Sequence, residues 1–144
     1  MKKIDRYIIP ILFALIMGFI SAFYIYKEYK SNNIYYIQIG AYSSLNNLNN
    51  NLSSIANKII LKDDNLYHAY VGITTSSDNA KKIKDYYERL GKKIYIKEMK
   101  VKNDNFKIEL AQYDILLKNA QSDEEIKNIL ETIIARYNEI YNNT

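Results

Sequence analysis

The chain has no cysteine and no tryptophan, and only one histidine, one proline and four glycines in 144 residues. Without cysteine there is no disulfide framework, no thiolate metal site and no cysteine nucleophile. The lone histidine, His68, has no second imidazole with which to share a metal, and the spacing fixes no nucleophile beside it. Acidic pairs occur only at Asp63-Asp64, in a turn-like stretch, and at Glu124-Glu125, near a helix start. Neither supplies the convergent constellation that catalysis needs, so the expectation is no enzyme activity, no metal and no cofactor. Charge of one sign is also scarce. The formal net charge is +4, but residues 1–30 hold five basic and two acidic side chains, leaving 15 against 14 in the rest. So small a surplus gives no basic stripe, and no nucleic-acid partner is expected. The remainder is uneven: residues 31–102 carry 11 basic and 6 acidic groups and residues 103–144 carry 4 and 8, so the two parts attract one another. After the first stretch is set aside, the length allows about one domain of modest core.

What is present begins with one long apolar run. Tyr7 to Tyr26 is 20 residues without a charge, and a helix of about that length covers a hydrocarbon core roughly 30 Å thick. Pro10 falls in the first turn, where its missing amide hydrogen costs little, and Tyr7, Tyr24 and Tyr26 stand where amphipathic rings favour the interfaces. Lys2, Lys3 and Arg6 precede the run and Lys27 and Lys30 follow it, which points to a cytoplasmic N-terminus. The run is too long for a cleaved secretory signal and no small-x-small site follows it. The expected organisation is a cytoplasmic stub (1–6), a transmembrane signal anchor (7–26), a short polar linker (27–33), a small extracytoplasmic domain (34–102) and an amphipathic helical tail (103–144).

The small domain is written twice. An offset of 32 residues lays Ile34 on Leu66, Tyr35 on Tyr67, Ile39 on Val71, Gly40 on Gly72, Ser44 on Ser76 and Asn47 on Asn79. Each copy reads as an alternating strand, a glycine, a Ser/Thr cluster and a helical pattern, so the repeated unit is strand-turn-helix. Two copies are too few for a solenoid and suggest one domain of two similar halves. Ser43 or Ser44 caps a helix with Leu45, Leu48, Leu52 and Ile55 on one side, and its outer face is rich in asparagine. Ile59-Ile60-Leu61 is a strand, Asp63-Asp64-Asn65 is turn chemistry, and Leu66 to Ile73 alternates again, making a hairpin. Ser76 or Ser77 starts a second helix with Ala80, Ile83, Tyr87 and Leu90 on one side, and Gly91 supplies a left-handed stop. Lys93 to Lys100 is the last strand. The order is βαββαβ, a split pair of βαβ units, which gives an α+β fold of the ferredoxin-like kind: one antiparallel sheet with both helices on one face.

Alternation places Ile37, Ile39, Ala69 and Val71 under those helices. Tyr36, Gln38, His68 and Tyr70 fall on the opposite face, which is expected to meet solvent or a ligand; their rings and amide suit stacking and hydrogen bonding to a sugar or base. In the last strand the same rule sends Ile94 and Ile96 inward and Tyr95 outward. The tail reads as a helical hairpin. Phe106, Leu110, Tyr113 and Leu117 form one stripe, Ser122-Asp123-Glu124-Glu125 is a capping box, and Ile126, Ile129, Ile133, Tyr137 and Ile140 form another. Three destinations are open for these stripes: the small domain itself, a second copy of the chain, or another membrane protein.

Tyr36-Ile37-Gln38-Ile39-Gly40-Ala41-Tyr42-Ser43-Ser44 resembles the first strand of the SPOR (sporulation-related repeat) domain, which reads aromatic, valine, glutamine, apolar, glycine, small, aromatic, serine. Tyr67-His68-Ala69-Tyr70-Val71-Gly72, with Ser76 and Ala80, resembles that family's third strand and second helix. The resemblance covers about residues 33–102 and implies a membrane-anchored module that binds septal peptidoglycan, preferring glycan strands stripped of stem peptides, in cell division or sporulation. It also implies glycan contacts at Gln38, Ala41, Ser43, Leu66, Tyr67, His68 and Ile96. Ala41 stands where serine is usual, Leu66 where an aromatic is frequent and His68 where arginine is frequent; Tyr36, Tyr67 and Tyr70 are candidates to supply stacking instead. Gln38 offers both donor and acceptor, and its plainer role is an outward polar residue on a strand. The partners expected are glycan strands and the cytoplasmic membrane. The competing function is a non-enzymatic membrane scaffold that docks a divisome or sporulation protein through its C-terminal helices.

Overall fold

The alternating apolar stretches become four strands and the 3.6-residue stripes become helices. The structure, a computed structural model, describes residues 11, 14–22, 33–100 and 103–142. The chain divides into two units, Met1–Asn32 and Asn33–Thr144. In the first, Ile11 and residues 14–22 are helical. The rest of the span expected over 7–26 lies outside the described residues, and among those described no helix is long and apolar enough to cross a membrane. The second unit holds β1 (Asn33–Tyr42), α1 (Leu45–Asn51), β2 (Ile59–Asp63), β3 (Leu66–Thr74), α2 (Ser77–Arg89), β4 (Tyr95–Lys100), α3 (Asp104–Asn119) and α4 (Asp123–Asn142). The small domain and the tail therefore lie in one compact unit.

The strands form one antiparallel sheet in the order β2-β3-β1-β4, as the βαββαβ reading requires. Local chemistry sets the boundaries. Ser44 and Ser76 are the N-caps, each accepting from the backbone N–H of the asparagine three residues on, Asn47 and Asn79, so the repeat extends to its caps. Asp64 and Asn65 both take positive φ, the two-residue turn that matches strand twist in a hairpin. Gly91, at φ 75°, follows the C-cap of α2 in the left-handed region that L side chains resist. The capping box is displaced by one residue: Glu125 N–H donates to Ser122 Oγ, while the Glu125 carboxylate accepts from the backbone of Gln121. Helix α1 stops at Asn51 although its apolar stripe continues to Ile55, in keeping with the low helix propensity of its asparagines.

The repeat is a pseudo-twofold axis. Gln38 lies opposite Tyr70, its own counterpart in the second copy. Around that pair the register is symmetric: Ile37↔Gly72 mirrors Gly40↔Ala69, Tyr36↔Ile73 mirrors Ala41↔His68, and Tyr35↔Thr74 mirrors Tyr42↔Tyr67. The two residues left unpaired at the register shifts are Ile39 and Val71, again equivalent. A bulge in each strand steps the faces, so the simple alternation that groups Ile37 with Ile39 and Ala69 with Val71 breaks at those two positions. The freed Val71 carbonyl accepts from the Tyr87 hydroxyl at 3.3 Å.

Helices α1 and α2 share the face that carries Ile37, Ala69 and Gly72. Leu48 and Leu52 pack on Ala69. At Gly72 an added Cβ would stand 3.1 Å from Ile83 and 3.3 Å from both Ile37 and Leu130, so glycine here permits close packing of α2 and α4 on the strand. The tail takes the first of its three open destinations. Strand β2 pairs only with residues 66–70 of β3, and beyond Tyr70 no other described strand flanks that side of β3. Helices α3 and α4 close on it instead, which removes an exposed strand edge.

Polar and apolar contacts hold the tail to the domain, and an ion pair holds its two helices to each other. Asp114, buried in α3, accepts from the hydroxyl of Thr74, from the Thr75 N–H at 2.9 Å and hydroxyl at 2.5 Å, and from Asn79 Nδ2 at 3.2 Å. Lys82 of α2 donates to the Leu117 and Ala120 carbonyls, both at 2.7 Å, and so caps the C-terminus of α3, where a cation also suits the helix dipole. Phe106, Leu110, Leu117, Ile126, Leu130, Ile133, Ile134 and Tyr137 are buried in one cluster with Ile34, Tyr36, Ile37, Tyr70 and Ile73. Arg136 of α4 grips Glu109 of α3 through two hydrogen bonds, Nε at 2.8 Å and Nη2 at 3.0 Å; this pairing holds the Glu109 carboxyl below the usual glutamate range. On the outer side of α3, Ile108, Ile115 and Leu116 are exposed.

Candidate functional site: the open half of the sheet face

Cross-strand partners share a face, so the register assigns each expected site residue. One face carries Ile34, Tyr36 and Gln38 of β1, Tyr70 and Ile73 of β3, and Tyr95, Lys97 and Met99 of β4. Past the bulge it continues with Ala41 opposite His68, and His68 opposite Leu61. Leu66, two residues from His68, lies on it too.

The tail divides this face. Tyr36 and Tyr70 are 3% and 1% exposed, which corrects the expectation that both meet solvent. Their rings meet edge-on at 5.3 Å, and Tyr137 of α4 stands edge-on to Tyr36 at 6.2 Å and to Phe106 at 5.6 Å. The Tyr36 hydroxyl bonds to that of Tyr137, and burial followed by the neighbouring phenols pushes the Tyr36 pKa well above the ordinary tyrosine value. The covered half is thus an aromatic core. Its symmetry mate stays open: where Tyr36 and Ile73 lie under α4, the equivalent pair His68 and Ala41 does not. Ala41 and Leu66 are exposed and Gln38 and His68 half-buried.

Gln38 and His68 bond to each other, Gln38 Nε2 to His68 Nδ1 at 3.3 Å. Beside Gln38, directly opposite on β4, stands Tyr95, 52% exposed, with the Lys93 ammonium 5.4 Å from its ring centroid. The open half therefore offers an amide, an imidazole, one accessible aromatic ring and the apolar surface of Leu66 and Ala41. An aromatic face beside an amide donor and acceptor suits a sugar ring, whose C–H face stacks while its hydroxyl or acetamido groups hydrogen-bond.

The remaining expected residues lie elsewhere. Tyr67 pairs with Tyr42 and Lys62 on the helix-covered face, half-buried against the Leu48 and Leu52 cluster, with the Lys62 ammonium 5.4 Å from its ring centroid. Ile96 lies opposite Ile37 on that same face of the edge strand and is 38% exposed. Ser43 follows β1 in the bend before α1, where its hydroxyl accepts from Asn47 Nδ2 at 3.4 Å. The sequence signal for Tyr95 is the alternation that turns it outward; the family pattern passes over it for Ile96. Among the described residues no cluster of His, Cys, Asp or Glu could hold a metal ion.

No protein-family profile matches the chain, and no curated protein matches it either. Among solved structures, the chain is similar to the peptidoglycan binding domain of the B. subtilis cell wall lytic enzyme CwlC, determined in solution. The two are 27% identical over 46% of this chain and 90% of that one, with a TM-score of 0.40, too low to establish a shared fold.

Proposed function

We propose that the protein is a membrane-anchored module whose open sheet half binds the glycan strands of peptidoglycan, preferring septal strands from which stem peptides have been removed. It makes and breaks no bond. The observation that carries the reading is the group formed by half-buried Gln38 and His68 with exposed Tyr95, Ala41 and Leu66, on a face whose other half lies under α4. Support also comes from the resemblance of Tyr36 to Ser44 and of Tyr67 to Gly72 to the SPOR repeat. In this reading residues 7–26 anchor the chain with its N-terminus in the cytoplasm. Residues 27–32 are then a linker, and the folded unit lies on the extracytoplasmic side.

Tyr95 supplies the stacking surface, and Gln38 the directional hydrogen bonds to an acetamido group or hydroxyl. The full chain, kept in mild detergent, is expected to co-sediment with amidase-treated sacculi and far less with untreated ones. Gln38→Ala removes one or two net hydrogen bonds and lowers affinity for treated sacculi by roughly five- to thirtyfold. Equal binding to treated and untreated sacculi would remove the preference for stripped glycan, and unchanged binding by Gln38→Ala would remove the site.

A further inference from the structure

We propose that His68 is a positioning residue: it sets which end of the Gln38 amide faces the ligand, and proton uptake by the imidazole reverses that choice. The ligand consequence rests on the glycan reading above; the pairing itself does not. In the structure Gln38 Nε2 stands 3.3 Å from His68 Nδ1. An amide nitrogen can only donate, so in this arrangement Nδ1 is the acceptor. The Gln38 carbonyl oxygen makes no other hydrogen bond among the described residues and is the acceptor left to a ligand. A proton on Nδ1 makes that nitrogen a donor. The amide must then turn its oxygen to the ring and leave its N–H groups to the ligand, so the same residue changes from acceptor to donor.

The pair sits at the pseudo-twofold axis. Gln38 is opposite Tyr70, and His68 is two residues from Tyr70 on the same face. His68 is flanked across the strands by Ala41 and Leu61, neither of which competes for Nδ1. The charged groups sharing this face are Asp63 on β2, two residues beyond Leu61, and Lys97 on β4, with Lys93 beside Tyr95; β1 contributes none.

The test is nitrogen-15 NMR on the labelled full chain in detergent, following the imidazole nitrogens and the Gln38 side-chain amide from about pH 5 to 8. The two sets of signals are expected to move with one midpoint. In His68→Phe the amide signal stops moving. In Gln38→Glu, whose carboxylate can only accept, the imidazole midpoint rises. An amide that stays still while the imidazole titrates, or an imidazole midpoint unmoved in Gln38→Glu, overturns the proposal. With stem-free glycan oligomers as probe, wild-type affinity is expected to be roughly three- to tenfold weaker at the acid end, where the acceptor is lost, and flat in His68→Phe. Coupled titration without any glycan binding leaves the positioning role of His68 in place and removes the glycan reading. Glycan binding whose pH dependence survives in His68→Phe does the reverse.

Discussion

A chain that ends at residue 102 is expected not to fold. Residues 103–144 are expected to act as the missing wall of the core rather than as an appendage. Their removal uncovers Ile34, Tyr36, Tyr70 and Ile73, all fully or nearly fully buried. Exposing four such side chains costs on the order of 6–12 kcal/mol, which matches the roughly 5–15 kcal/mol of net stability a domain this size possesses. The truncation also leaves the edge of β3 beyond Tyr70 bare, a template for association with other chains. Circular dichroism and thermal unfolding of the truncated chain should show no cooperative transition and a rise in aggregation. A transition close to that of the full chain would show that residues 33–102 fold alone. It follows that deleting the tail cannot separate a glycan-binding role from a docking role, because both are lost with the fold.

The second large effect falls on one carboxyl group. Asp114 brings together Thr74, Thr75 and Asn79, so that the end of β3, the following turn and the first turn of α2 are all tied to α3. Asp114→Ala strands the buried Thr74 hydroxyl and takes the partner from the half-buried Thr75 N–H and hydroxyl, while Asn79 Nδ2 keeps its bond to the backbone carbonyl of residue 114. Stranding a buried donor costs about 1–3 kcal/mol, and with the half-buried Thr75 groups partly rehydrated the expected loss is about 2–3 kcal/mol, or roughly 6–12 °C in Tm. Asp114→Asn keeps one acceptor oxygen and should lose about half as much. Both variants are expected to bind glycan normally below their melting temperatures, since Asp114 is on the covered side. A change in Tm within two or three degrees for Asp114→Ala would contradict the anchoring role.

The strands, the hairpin and the caps could be read from the residues because each rests on local chemistry. Alternation gives the strands, Asp64-Asn65 the tight turn, Ser44 and Ser76 the helix starts, and Gly91 the helix end. The order βαββαβ then leaves few arrangements of the sheet. Less could be read of what covers the sheet. Alternation says which residues share a face and nothing about what lies over it, so Tyr36 and Tyr70 grouped correctly with Gln38 and His68 while their burial under Tyr137 stayed hidden. The amphipathic stripes of α3 and α4 declared that they must be buried, and their destination depends on the length of β2, which stops pairing at Tyr70. One signal was on the page: Asp114 falls four residues after Leu110 and three before Leu117, inside an apolar stripe. A carboxyl group there needs buried donors, and the Thr74-Thr75 and Asn79 groups of the second repeat are such donors. The bulges at Ile39 and Val71 left no compositional trace, and they are what sets Ala41 on the same face as Gln38 and Ile73 on the same face as Tyr70.

The covered and open halves of the face are related by the repeat, and the difference between them is the substance of the functional reading: one half was turned into core by the tail and the other kept for a ligand. The most direct test is to add stem-free glycan oligomers to the nitrogen-15-labelled full chain and map which backbone and side-chain amides shift. The account predicts shifts concentrated at Gln38, Ala41, Leu66, His68 and Tyr95, with Tyr36 and Tyr70 little affected. Shifts confined to another surface, such as the polar groove between α2 and the α3–α4 turn lined by Asp78, Lys81, Asp85 and Gln121, or no shifts at millimolar glycan, would contradict it.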